Sequence, residues 1–191
     1  MNLISEIKLY LKERLSDKRY HHCLRVMKLS GQLAERYGAD ISKAELAGIL
    51  HDAAKENEEE LLKAYDISDI IPLEDIDKYK SILHGPLSRE VARNVFGIED
   101  DDILSAIAYH VTGRENMSLI EKIVFIADAA EPGRKYGNAA EINKLAFVDL
   151  DNALIEVFNS KIEYCIKKNS IIHPLSVDSR NFYILEKEIR A

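Results

Sequence analysis

Apolar residues recur at three- and four-residue spacing along almost the whole chain, and no stretch shows sustained alternation bounded by turn residues. Such a chain can bury its hydrophobic faces only by packing helix on helix, so the expected fold is all-α, a single compact helical bundle with essentially no sheet. The spacing predicts helices over about 2–15, 18–37, 41–54, 58–65, 75–82, 85–96, 101–111, 118–130, 138–147, 149–168 and 178–190. Asp17 and Asp40 stand where N-caps are expected, Gly38 and Gly97 follow helical runs as stops, and Pro72, Pro132 and Pro174 fall between segments. The acidic runs at Glu58–Glu60 and Glu99–Asp102 sit at predicted helix starts, where negative charge complements the macrodipole. Connections are expected to be short.

Length and charge bound what such a bundle can do. A chain of 191 residues, 47% of them hydrophobic, can fill one substantial core, and no composition break asks for a second domain. The 33 acidic and 26 basic side chains leave a net charge of −7, which disfavours a general nucleic-acid binder but still permits a small phosphorylated ligand held by a local cation cluster. The first fifteen residues interleave charge with apolar side chains, unlike a secretory signal, and no run approaches the roughly 20 apolar residues of a membrane span. Cys23 and Cys165 form neither a metal-binding spacing nor a disulfide framework. A soluble, cytoplasmic protein is expected.

The informative residues are polar ones in apolar places. His22 shares a helical stripe with Val26, Leu29 and Leu33, whereas His21 lies about 100° away and reads as a boundary residue. The segment Ala44–Leu50 is apolar nearly all round, yet it runs into His51-Asp52. His84 stands at a helix start after Ile82-Leu83, His110 closes the apolar run Ile103–Tyr109, and Asp128 interrupts Ile123–Ala130. Each alone has an ordinary reading as a helix cap or a hydrogen-bonded core residue. Six of them on five helices carry six separate desolvation costs, which one shared cation cluster would relieve together. Four imidazoles and two carboxylates without a thiolate suit iron or manganese, with zinc, nickel or cobalt also accommodated, as one or two ions. Such an N/O-rich site, left partly open to water, is suited to hydrolysis.

The ordered set His22, His51-Asp52 and Asp128 resembles the signature of the HD superfamily of phosphohydrolases. The segments Arg19–His22, Leu50–Lys55, Leu83–Pro86, Tyr109–Gly113 and Ile126–Asp128 with Glu131–Arg134 are similar to those of the YqeK family of bacterial symmetrical diadenosine tetraphosphate hydrolases, over nearly the whole chain. The motif-bearing core spans about 18–135 and the C-terminal helices 138–190. The resemblance implies an iron-type centre, cleavage of the tetraphosphate into two ADP, and a homodimer.

On that footing His22, His51, Asp52 and Asp128 hold the first metal, while His84 and His110 either bind a second or donate hydrogen bonds to phosphate. Lys55, one turn beyond His51, is placed to meet a phosphate, or alternatively to neutralise Asp52 or Glu59. Arg134 can offer its planar fork to phosphate oxygens. Thr112, with Gly113, Arg114 and His173-Pro174, is a candidate border of the nucleotide pocket. Two other functions are compatible with the residues. One is a nucleotidase or dinucleotide phosphodiesterase of the same superfamily, and the other is a non-catalytic nucleotide-sensing module.

Overall fold

A computed structural model describes residues 2–134 and 137–190 of the chain. Among these there is no strand, and ten α-helices account for most of the backbone. They are α1 (Leu3–Arg14), α2 (Asp17–Tyr37), α3 (Ile41–Leu50), α4 (Glu58–Leu61), α5 (His84–Phe96), α6 (Asp101–Tyr109), α7 (Leu119–Ala130), α8 (Ala139–Ala146), α9 (Leu150–Lys167) and α10 (Pro174–Arg190). No described helix is long and apolar enough to cross a membrane.

Helix α7 is the axis of the bundle. Its segment Ile123–Ala127 is fully buried, because α2, α3, α6, α8 and α9 all pack around it. Phe125 meets Phe158 of α9 with ring centroids 4.6 Å apart, which joins the C-terminal helices to the same core. Burying an aromatic or aliphatic side chain of this size contributes about 1.5–3 kcal/mol, so this axis is the mechanical base on which polar groups can be carried inward. The stripe expected on α2 is present, with His22, Val26, Leu29 and Leu33 all buried and His21 exposed.

Several boundaries differ from those the spacing predicts. Ser16, not Asp17, is the N-cap of α2, accepting from Arg19 N–H, while Asp40 caps α3 as expected. Gly38 and Gly97 end α2 and α5 at positive φ of 69° and 65°, a conformation that costs glycine little. Pro174 does not separate segments but opens α10, where its missing N–H costs nothing.

The predicted helix at 75–82 is instead two single 3-10 turns, Leu73–Asp75 and Lys80–Ile82, and the expectation of short connections fails over residues 62–83. Pro72 bars helical continuation through residue 71. The stretch is held in place by its own small core, in which Ile67, Ile71, Tyr79 and Leu83 pack on Ala54 and Leu87. It therefore forms a wall beside the ends of α3 and α5 rather than a free loop.

Candidate metal centre

Two helices stop for the same local reason, and their stops create the site. At the end of α3 the His51 ring turns back and its Nδ1 donates to Gly48 O at 2.7 Å; at the end of α6 the His110 Nδ1 donates to Ile107 O at 2.8 Å. Each imidazole thus satisfies a carbonyl that the ending helix leaves without a partner. The expected continuations to residues 54 and 111 give way to tight turns, with Ala53 N–H on Leu50 O and Lys55 N–H on Asp52 O. The Nδ1 hydrogens being used in this way, Nε2 of both rings carries a bare lone pair.

These lone pairs converge. His22 Nε2 lies 3.2 Å from His51 Nε2, 3.6 Å from Asp52 Oδ2 and 3.2 Å from Asp128 Oδ1. His51 Nε2 lies 3.4 Å from Asp52 Oδ2 and 3.8 Å from Asp128 Oδ1. On the other side, Asp52 Oδ1 lies 3.4 Å from His84 Nε2 and 3.8 Å from His110 Nε2. The described residues thus offer two clusters able to coordinate a divalent cation, His22–His51–Asp52 and Asp52–His84–His110, with every member buried. Asp52 serves both, one oxygen to each.

The surroundings orient the rings as a metal site requires. His22 Nδ1 is 3.0 Å from Glu131 Oε1, and Glu131, 2% exposed, also accepts from Arg25 Nε at 2.5 Å and from Gly133 N–H. Burial opposes charge on Glu131, but the bonds from His22, Arg25 and Gly133 outweigh it and hold its carboxyl down at about 2. Its carboxylate therefore keeps hydrogen on His22 Nδ1 and frees Nε2, the usual arrangement behind a ligating histidine. The His22 and His51 Nε2 atoms stand 3.2 Å apart, with Arg134 NH2 3.4 Å from the first, and such crowding of ligand atoms is the donor chemistry a cation fits.

His84 is arranged differently. Lys55 Nζ sits 3.0 Å from His84 Nδ1, so that nitrogen accepts and Nε2 carries the hydrogen. Ligation by His84 would need Lys55 to move onto Glu58, whose Oε1 is already 3.4 Å away. Lys55 thus meets His84 and Glu58, not the Asp52 or Glu59 of the alternative charge-neutralising reading. Burial pushes the His84 imidazolium pKa down to about 3, keeping the ring neutral. Burial likewise drives His110 well below the usual range, reinforced by His51 and His84. For Asp128 burial acts upward, yet the Arg134 guanidinium and the Lys161 ammonium beside it keep its carboxyl well below the ordinary value.

A rim of cations closes over these acids. Arg19 NH1 donates to Asp52 Oδ2 at 2.6 Å, and Arg134 donates to the Asp128 carboxylate and, through Nε, to its carbonyl at 2.9 Å. Thr112 is buried and its hydroxyl donates to Gly113 O at 2.9 Å. With His173, Ile71, Ile82, Pro86 and Val111 it lines a small cleft. Arg114 does not reach that cleft border, since both ends of its guanidinium are committed to Glu121 at 2.6 and 2.8 Å. The wall between α5 and α6 is tight: a Cβ on Gly85 would lie 2.5 Å from Ala108 O, so only glycine lets His84 stand this close to His110.

The fold brings the six candidate ligand residues expected from the sequence next to one another. Sequence reasoning assigns no role to Arg19, Arg25, Glu131 or Lys161, although the first and third lie inside quoted motifs. A charged residue flanking an inward histidine was the available signal for Arg19 and Arg25; Lys161 gave none, being an ordinary helical lysine far along the chain.

Comparison with known proteins agrees with this geometry. Residues 19–133 match the HD domain family model. A symmetrical bis(5'-nucleosyl)-tetraphosphatase of Bacillus subtilis is 38% identical over 164 residues, spanning 86% of this chain and 88% of that protein. Its counterpart from Staphylococcus aureus is 39% identical over 94% of each chain. A crystal structure from Clostridium acetobutylicum, described as a predicted HD superfamily hydrolase involved in NAD metabolism, superposes with a TM-score of 0.86 at 40% identity, covering 96% of this chain and 97% of that one. By sequence, by fold and by the residues its helix ends bring together, this chain belongs to the HD-domain family of symmetrical bis(5'-nucleosyl)-tetraphosphatases.

Proposed function

We propose that this protein is a metal-dependent phosphohydrolase that cleaves diadenosine tetraphosphate, or a close dinucleoside polyphosphate, symmetrically into two ADP. The observation that carries this reading is the convergence of His22, His51, Asp52 and Asp128, the two Nε2 atoms lying 3.2–3.8 Å from each other and from oxygens of both acids. The relatives named for this activity support the choice of substrate.

His22, His51, Asp52 and Asp128 would hold the first ion, and His110 would contribute to the second cluster. Iron best suits this imidazole and carboxylate set, and manganese, cobalt, nickel or zinc are compatible with it. When bound, a divalent ion supplies acidified water near neutral pH and neutralises charge gathering on phosphoryl oxygens. The chain's own residues do the rest. Lys55, by donating to His84 Nδ1, keeps hydrogen on Nε2, so the neutral His84 ring is set to donate a hydrogen bond to a phosphate oxygen and steady the charge gathering there. Arg134 and Arg19, already on carboxylates, are at the right place to grip phosphates that lie over the acids. Thr112 and His173 line a small, largely apolar cleft that would have to open to admit a nucleoside.

We further read the chain as one HD-type domain acting in the cytoplasm as a homodimer, without a nucleic-acid partner. A nucleotidase or phosphodiesterase would share the metal chemistry and differ only in the walls. The test is incubation of the iron- or manganese-loaded protein with diadenosine tetraphosphate and chromatography of the products. ADP alone is expected; AMP plus ATP would refute symmetrical cleavage, and tight binding without turnover would favour a sensing role.

A further inference from the structure

We propose that Lys161, carried by α9 from beyond the segment that matches the HD family, is a positioning residue of the metal centre: its ammonium ties the Asp128 carboxylate to the backbone end of α6. The inference rests on the metal-binding reading above. Lys161 Nζ donates to His110 O at 2.7 Å and to Val111 O at 3.3 Å, lies 3.5 Å from Asp128 Oδ2, and stands 4.1 Å from the centroid of the Phe125 ring.

Two of the ammonium's three hydrogens go to the His110 and Val111 carbonyls, and the third side of the group faces Asp128 Oδ2 as an ion pair at 3.5 Å. Lys161 is therefore spent on the protein and has no donor left for a phosphate, unlike a substrate-binding lysine. What it does control is direction. Asp128 divides its two oxygens, Oδ1 toward His22 and His51 and Oδ2 toward Lys161. Holding Oδ2 fixes the carboxylate plane and so the aim of Oδ1. The same ammonium grips the carbonyl of His110, whose ring belongs to the second cluster. One side chain thus sets the relative position of a ligand on α7 and a ligand at the end of α6. The aromatic face of Phe125 and its stacking on Phe158, one turn before Lys161 on α9, hold that side chain in register.

A lysine that merely tethers α9 would predict a different outcome from one that aims a ligand. The full-length protein, stripped with chelator, is titrated with Co(II) for wild type, Lys161→Met, Lys161→Gln and Lys161→Arg, reading visible absorption, chelator competition and far-UV circular dichroism. Loss of an outer partner of a metal ligand weakens binding by about 10- to 100-fold. That loss is expected for Met and Gln with the helical spectrum intact, together with altered Co(II) bands, and Arg should restore most of the affinity. Gln retains amide donors for the two carbonyls and keeps the test informative should the Met variant fail to fold. Wild-type affinity and bands in a folded Met or Gln variant, with only thermal stability reduced, would overturn the proposal. Failure of the metal reading itself would look different, as wild-type protein that takes up no Co(II).

Discussion

Charge is buried at several places among the described residues, and two of them are built on opposite plans. On α5, Arg89 places NH1 and NH2 on Asp69 at 2.6 and 2.8 Å and Nε on Glu90 at 2.8 Å, while Glu90 also accepts from Arg93 and Asn94. There each donor meets an acceptor, and the network closes on itself; it pins residue 69 of the long connection to the helix behind it. Around Asp52 and Asp128 the arrangement is open toward a cation, because imidazole nitrogens and carboxylate oxygens crowd together at 3.2–3.8 Å with the rings held from behind and Arg19, Arg134 and Lys161 only at the edge. A closed network needs nothing more to be stable, whereas an open one stores unmet demand for positive charge. Burial alone does not separate structure from function; what separates them is whether the hydrogens add up.

The sharpest way to break this contrast is Asp52→Ala. It removes an oxygen from each cluster, and turnover should fall by about 10³-fold or more, equivalent to about 4 kcal/mol of barrier, with the helical circular dichroism preserved; a variant retaining wild-type turnover would remove Asp52 from the site. Next in size is Glu131→Gln, which loosens His22 from behind and should weaken metal binding by about 10- to 100-fold, measured by chelator competition. Arg89→Met tests the closed network: it should cost roughly 1–2 kcal/mol in denaturant unfolding because Glu90 loses a buried partner, and leave metal affinity unchanged. If Arg89→Met and Glu131→Gln affected metal binding equally, the distinction between the two networks would not hold.

The smallest effect is in acid. The Glu131 carboxyl is depressed in the folded protein from 4.5 to about 2, so the unfolded chain takes up this proton first. Its contribution to stability is complete above about pH 4.5 and is lost as pH falls toward about 2. Denaturation midpoints of metal-free wild type should therefore decline more steeply across that window than those of Glu131→Gln, and parallel curves would show that Glu131 carries no such stabilisation.

Much of this was readable from residue order. The His22 stripe and the apolar runs ending in His51-Asp52 and His110 are periodic patterns, and periodicity survives without knowledge of neighbours. The early stop of α3 at Leu50 was not readable, because it depends on His51 turning back to Gly48 rather than on helix propensity. Residues 62–83 misled for a related reason: their apolar positions suit a helix, but Pro72 and a separate small core select an irregular wall. Lys161 and Arg25 look like solvated helix-face charges until α9 and the Glu131 turn are placed beside them. Sequence shows which groups are out of place in a core; only the fold shows which ordinary charges have been recruited to them.

Asp52 has a consequence for how the protein must be titrated. Since one oxygen belongs to each cluster, filling the first place changes the electron density available to the second, and the two occupancies become a single linked equilibrium. Saturation curves should then depart from the sum of two independent hyperbolas, and replacing His22 or His110, each tied to one side, should separate the two steps where no change at Asp52 can.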